Sequence, residues 1–376
     1  MKQKKVVILG GGFGGIACAK KLDADYPGFE VTLIDQSPYH IIHSNLYEVA
    51  TAPEELSDLR KLKQTVALAY TKIFTDTRVI VKQGKVISID AEKQTVELEH
   101  GSVLYDYLVA ALGARPNYYG IAGADQFSIP LQTAGDALRI RDRIEFAVQA
   151  HRLDTQKDVV RIMVAGGGVA GVEVAAELQG MLDFIAWKNN YPRKKIETVV
   201  IEGTGQMLPG FETKVAETIA NRLEKFGVKI LTRRMIAGVE SNMVTFSNGE
   251  RMEHDCLIWT AGVKAVPLPL KKPVLTAKGD RVEVDEYFRV NGHANIFTIG
   301  DQSCHHAKDG APLPGTASQA IDQGVYIAGA LSAFAKNKTP ATHTCKVFPY
   351  IIPLGGKWAI YKSSRMYIKG YLAYFI

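Results

Sequence analysis

The apolar positions at the start of the chain form a run, a break and a second run. VVIL at residues 6–9 meets a knot of glycines, a helix-period stretch covers residues 14–24, and FEVTLID closes on Asp35. Short apolar runs bounded by glycine and separated by a helical segment predict a βαβ unit. The series returns from about residue 159, where VRIMVAGGGVAGVEVAAEL leads through a longer crossover to TVVIEG. Between the two, residues 78–114 alternate apolar and polar side chains with turn signals at Gln83-Gly84 and His100-Gly101, predicting an antiparallel β-meander between parallel strands. Helices are expected at about 134–150, 212–226 and 316–335. The strands KILTRR, MIAGVES, NMVTFSNGE and HDCLIWTAG complete a second half that parallels the first. The pattern is that of an α/β chain with two Rossmann-like dinucleotide-binding domains, inserted antiparallel meanders and a short C-terminal segment. The expected division is 1–118 with 288–335, then 119–287, then 336–376.

Each glycine knot follows a strand and opens a helix. In Gly10-x-Gly12-x-x-Gly15, the first glycine permits the tight turn, the second lets a pyrophosphate approach the backbone, and the third lets helix and strand pack closely. The phosphates would sit on the helix N-terminus, where unpaired N–H groups and the dipole favour negative charge. Asp35 stands at the end of the second strand, where a carboxylate accepts hydrogen bonds from a ribose diol. Gly166-x-Gly168-x-x-Gly171 and Glu202 repeat the arrangement. One such motif is a weak signal, but two in the right context imply two dinucleotides. Hydride chemistry supplies a reason for two, because a flavin in one seat can accept hydride from a nicotinamide in the other.

Composition narrows the class further. A chain of 376 residues that is 47% hydrophobic and 22% charged can bury cores for two domains. Cys18, Cys256, Cys304 and Cys345 are far apart and form no CxxC, so no disulfide framework is expected and a reducing cytoplasm is the default. The first strand begins after MKQKK, and no apolar run is long enough to span a bilayer, so neither a signal peptide nor a transmembrane helix is expected. The net charge of +6 is spread without dense basic clusters, which argues against a nucleic-acid partner. Cys304-His305-His306 lacks a second ligand pair, so no metal is expected.

Further stretches carry a resemblance. YDYLVAALGARPN, CLIWTAGV and NIFTIGDQS resemble the crossover stretches and the FAD-clasping Gly-Asp motif of two-dinucleotide flavoprotein reductases, which have a glutathione-reductase-like fold, over residues 1 to about 335. SPYHIIHSNLYEVATA, AGGGVAGVEVAAEL, LIWTAG, GDQSCHHAKDGAPLPGTASQAIDQG and the tail KGYLAYFI make the chain most similar to type II NADH:quinone oxidoreductases, the non-pumping NADH dehydrogenases. That resemblance implies FAD at Gly10, Gly11, Gly12, Phe13, Gly14, Gly15, Asp35, Ala111, Gly113, Gly300, Asp301 and Ala317. It implies NADH, as co-substrate, at Gly166, Gly168, Gly171, Glu202 and Gly262. Glu173, in the first turns of the second-seat helix, would lie on the nicotinamide and quinone side and relay protons to a reduced quinone. The family's Ala-Gln-x-Ala-x-Gln helix is replaced by Ala317-Ser318-Gln319-Ala320-Ile321-Asp322, which leaves Ser318, Gln319 and Asp322 as quinone-side residues.

Other readings stay open. They are an NADH reductase using oxygen or a soluble acceptor, a sulfide:quinone-reductase-like enzyme, which would need a pair of redox cysteines, and a non-catalytic redox sensor. NADH is expected over NADPH, because Glu202 would repel a 2′-phosphate and Gly203-Thr204-Gly205 brings no arginine. The tail holds Lys357, Lys362, Arg365 and Lys369 among six aromatic residues. A strand and final helix packed on the FAD domain would account for part of it. If residues 362–376 are helical, the tail would be an interfacial helix, peripheral on the cytoplasmic face of the membrane, with a homodimer doubling the contact.

Overall fold

The computed structural model describes residues 3–52, 65–154, 159–306, 315–344 and 346–376. Cys345 and most of the KDGAPLPG stretch lie outside the described residues. Two compact units emerge, one of residues 1–41, 67–115 and 263–348, the other of 42–66, 116–262 and 349–376.

In the first unit, Lys4–Leu9 pairs in parallel with Phe29–Asp35 on one side and Tyr107–Ala110 on the other. Ile296–Thr298 and Ile80–Gln83 form the edges of this five-stranded sheet. Alternate side chains of the first strand serve opposite faces, as strand geometry requires. Val6 and Ile8 pack with Cys18, Ala19 and Leu22 of helix Phe13–Asp25 and with Ile327, Ala328 and Leu331 of helix Ala317–Ala335. Val7 and Leu9 pack with Ile89, Val96 and Leu98 of an antiparallel sheet made by Val86–Asp90, Thr95–Leu98 and Ser102–Leu104.

The second unit repeats the plan. Its parallel sheet runs in the order Ile129–Pro130, Cys256–Trp259, Val160–Ala165, Ile196–Ile201 and Lys229–Leu231. An antiparallel sheet of Ile236–Val239, Met243–Phe246 and Arg251–Glu253 shares its core through Val239, Val244 and Phe246. Helix Ala134–Leu153 begins at a capping box in which Thr133 and Asp136 satisfy each other's backbone N–H.

Four expectations are corrected. Ile80–Gln83 and Tyr107–Ala110 are parallel strands of the main sheet, not part of the meander. Residues 42–66 belong to the second unit and 263–287 to the first. The tail is not an interfacial helix. Tyr350–Pro353, Ala359–Lys362 and Tyr367–Gly370 form an antiparallel sheet, and only Tyr371–Tyr374 is helical. This tail belongs to the second unit and not to the first: Lys362 pairs with Glu212 at 3.0 Å and the Tyr367 hydroxyl donates to Thr218 at 3.0 Å. No described helix is long and apolar enough to cross a membrane.

Candidate functional site: two matched dinucleotide seats

The two glycine knots have the same geometry. A Cβ on Gly15 would stand 2.0 Å from Gly10 O, and one on Gly171 would stand 1.9 Å from Gly166 O, so only glycine permits either helix to approach its strand. The helices begin at Gly12 (φ −75°, ψ −172°) and Gly168 (φ −72°, ψ −176°), neither with a side-chain cap. A Cβ at Gly12 or Gly168 would meet nothing within 4 Å. Each seat thus presents uncapped helix N–H groups beside open space, the arrangement that accepts a pyrophosphate.

Each strand-end acid is built into its knot. Asp35 Oδ2 accepts the Gly11 N–H at 2.7 Å while Oδ1 accepts that of Ser37 at 2.8 Å. Glu202 Oε2 accepts the Gly167 N–H at 2.8 Å while Oε1 accepts that of Thr204 at 2.7 Å. A carboxylate has about four lone-pair directions, so each keeps capacity for ribose hydroxyls. In the first seat the Gly11 carbonyl also accepts from the Tyr70 hydroxyl, and His40 Nδ1 lies 2.9 Å from it. Phe13 packs edge-on against the His40 ring at 4.8 Å. Burial lowers the His40 pKa, which favours the neutral ring. His40 and Tyr70 escape a motif reading because both act through one backbone carbonyl far away in sequence.

The remaining first-unit residues converge on the same knot. A Cβ on Gly324 would stand 2.3 Å from Gly14 O, so helix Ala317–Ala335 rests directly on the first helix. Gln323 of that helix accepts the Gly300 N–H at 2.7 Å. Fully buried Gln302 joins the stretch around Ala111 and Gly113 to the Gly-Asp motif, accepting from the Leu112 N–H and donating to Val266 O. Asp301 is half-buried beside Gly315. In the second unit, Thr260 donates to Ala165 O and sits beside Gly166, and the Gly262 carbonyl accepts the Asn117 N–H at 2.9 Å.

Glu173 stands in an acidic cluster that the sequence does not show. Its carboxyl is pushed up to about 8, first by burial and then by the charges of Glu177 and Glu48. Burial also raises Glu177, opposed by the Gly355 N–H at 3.1 Å. Tyr47 is raised by burial and then by Glu173 and Glu48, whose carboxylate its hydroxyl approaches at 3.4 Å. The i, i+4 spacing of Glu173 and Glu177 was the available signal. Glu48 and Tyr47 join through helix Leu46–Thr51, which packs on helix Val169–Lys188.

Two of the three quinone-side residues are committed to the chain itself. Asp322 is held below the usual carboxylate range: burial opposes this, but hydrogen bonds from Lys346 and His343 prevail. Gln319 donates to Lys346 O at 2.8 Å, and Ser318 is half-buried. Cys18, Cys256 and Cys304 are free and buried, and burial pushes the Cys256 thiol up to about 12. Among the described residues no group of three potential ligands is placed to hold a metal ion.

Comparison with known proteins agrees with this geometry. The family model described as pyridine nucleotide-disulphide oxidoreductase matches residues 4–324. The type II NADH:quinone oxidoreductase of Staphylococcus haemolyticus is 28% identical over 334 residues, covering 87% of this chain and 81% of the relative. That of Mycobacterium tuberculosis is 29% identical over 372 residues, covering 90% of this chain and 74% of the relative. The structure of NDH2 from Plasmodium falciparum in complex with NADH superposes with a TM-score of 0.86 at 19% identity, over 98% of this chain and 92% of that one.

Proposed function

The chain belongs to the pyridine nucleotide-disulphide oxidoreductase family, and on that premise we propose that it is an NADH:quinone oxidoreductase which moves two electrons without ion pumping. The duplicated seat carries this reading: two uncapped helix N-termini, each beside a glycine opening and a strand-end acid tied to the knot. Relatives matching most of the chain at 28–29% identity bear the same activity in their names.

FAD is assigned to the first unit and NADH to the second. FAD would supply, when bound, the two-electron chemistry that links hydride donation by the nicotinamide to reduction of the quinone. The knot Gly10–Gly15 and helix Phe13–Asp25 would hold the flavin's pyrophosphate, Asp35 would accept from its ribose, and Gly300 and Asp301 would complete the site. Gly166, Gly168 and Gly171 hold the pyrophosphate of NADH, Glu202 its adenosine ribose, and Gly262 lines the same site. Glu173, protonated through much of the neutral range, holds a proton for the reduced quinone, with Glu177 and Glu48 as its route to solvent.

The tail docks the protein on a membrane surface. Leu372, Phe375, Ile376 and Met366 are exposed, beside the exposed cations Lys357, Arg365 and Lys369. Exposed apolar side chains and cations in one short segment suit an anionic headgroup layer, and two copies would double the contact. One observation favours a second reading, a soluble acceptor. Asp322 is held by Lys346 and His343, and Gln319 gives its amide N–H to Lys346 O, so neither that carboxylate nor that donor is free for a quinone head group, although Gln319 Oε1 keeps no partner among the described residues.

The test is anaerobic reduction by NADH followed by mixing with menaquinone and ubiquinone analogues, alongside flavin extraction from the purified protein. Bleaching of the flavin by NADH and recovery on quinone addition support the assignment. Absence of flavin, or reoxidation by oxygen alone, refutes it.

A further inference from the structure

The turn after Glu202 is held by two consecutive arginines. Arg233 donates its backbone N–H to Thr204 O at 2.7 Å, and Arg234 donates its own to Glu202 O at 3.0 Å. Their side chains are used differently. Arg234 pairs with Glu250 at 2.9 Å, whereas Arg233 is exposed and makes no ion pair among the described residues. Arg233 also sits in left-handed backbone, at φ 56°. That conformation, which a few other non-glycine residues of the chain share, sets the direction in which the side chain leaves the turn. The result lays the guanidinium along the turn, where a Cβ on Gly205 would stand 3.5 Å from its Nε and 3.8 Å from an Nη.

Within the three residues that follow the ribose acid there is thus a cation that the local sequence Gly203-Thr204-Gly205 does not contain. Glu202 alone favours a free 2′-hydroxyl, but both of its oxygens already accept backbone N–H groups, which offset part of its charge. A planar guanidinium with free N–H groups matches a phosphate bidentately. Where an arginine stands near the ribose acid, a 2′-phosphate can be accommodated.

Resting on the assignment of the nicotinamide dinucleotide to the second seat, we propose that Arg233 supplies the charge that admits a 2′-phosphate, making NADPH a slower working donor beside NADH. The reaction balances as with NADH. The C4–H bond of the dihydronicotinamide breaks with its electron pair, one proton is taken up from solvent, NADP+ is released, and the quinone ends as the quinol with two electrons and two protons.

The experiment compares kcat/KM for NADPH and NADH with one quinone analogue in the holoenzyme, in Arg233→Asn and in Arg233→Lys. Asparagine tolerates left-handed backbone well, so this change removes the charge with little strain. The NADPH:NADH ratio should fall about tenfold or more in Arg233→Asn, the loss expected for a charge-assisted hydrogen bond, and largely return in Arg233→Lys. Adenosine 2′,5′-bisphosphate should compete with NADH better than 5′-AMP does in the wild type and lose that advantage in Arg233→Asn. Rising salt should depress NADPH turnover more steeply than NADH turnover.

An unchanged ratio in Arg233→Asn, or equal salt dependence, overturns the role of Arg233 while leaving the NADH assignment standing. Equal inhibition by inorganic phosphate and by the bisphosphate also overturns it, because the site would then bind a free anion. A flavin-loaded wild type that does not oxidise NADH overturns the assignment on which the proposal rests.

Discussion

Gly167 donates its backbone N–H to Glu202 at 2.8 Å, so the acid proposed to read the ribose also pins the loop proposed to receive the pyrophosphate. Gly11 and Asp35 do the same at 2.7 Å. Neither acid is only a ligand-facing group, and mutations in either seat should separate by cofactor.

The first test uses the third glycine of each knot. In Gly171→Ala the new methyl would fall 1.9 Å from Gly166 O, which must displace the helix start. NADH binding should weaken by at least about tenfold while flavin content stays at the wild-type level. Gly15→Ala should do the reverse and yield protein depleted of flavin. Titration with NADH and extracted-flavin absorbance read the two outcomes. Loss of flavin in Gly171→Ala would reverse the assignment of the seats.

Removing the second acid tests donor preference. Glu202→Ala deletes the charge that opposes a 2′-phosphate and also frees the Gly167 and Thr204 N–H groups. The KM for NADH should rise, and the NADH:NADPH preference should narrow by roughly tenfold, from kcat/KM for each donor. An unaltered preference would remove Glu202 from donor recognition.

Glu173 should leave its mark on the pH profile. With a carboxyl raised to about 8, it carries its proton below that pH and loses it above, so quinone turnover at saturating NADH should fall as pH rises through about 8. Glu173→Gln should lower turnover and abolish that limb. The same shift sets the sign for stability. The folded chain keeps this proton where the unfolded chain, titrating near 4.5, has lost it, so the group's contribution to stability falls between those two pH values. Glu173→Gln should therefore melt with the wild type near pH 4.5 and above it near pH 9, by roughly 2–4 °C for each kcal/mol of relief.

A membrane test must respect the tail's role in the fold. Ile352, Leu354, Ala359 and Ile360 are at most 1% exposed, so truncation at Gly356 would strip buried strands along with any lipid contact. The cleaner variant replaces exposed Leu372 and Phe375 by Ser and Lys369 by Glu. It should keep the wild-type Tm and lose flotation with anionic liposomes. Equal flotation of the two proteins would remove the tail from membrane docking.

The seats are legible in sequence because strand, glycine turn, helix and strand-end acid follow one another within a few tens of residues, and local periodicity reports them. Ile80–Gln83 is not, because a short edge strand in a parallel sheet alternates like a meander strand and only its partner Phe29–Asp35 distinguishes them. The tail misleads for a related reason. AIYK and YIKG are too short to show an alternation, and the cations scattered through this stretch also fit one face of a helix. Glu173 is visible as an acid early in a helix, whereas its neighbours Glu48 and Tyr47 arrive from a segment more than a hundred residues away. The partners of Asp322, His343 and Lys346, likewise come from a return of the chain that has no periodic signature.

The course of the chain also orders its assembly during translation. The second unit's parallel sheet has all five strands once Trp259 has emerged. The first unit's sheet, although it begins at Lys4, lacks an edge strand until Thr298 and the covering helix until Ala335. The nascent first strand therefore waits for nearly the whole chain, and the second unit's parallel sheet can assemble before the first's, its tail sheet of residues 350–370 being added last. Domains fold as units during synthesis at about 5–20 residues per second. Chains stalled near residue 270 should accordingly show more protease protection in the second parallel sheet than in the first, and the full chain more in both.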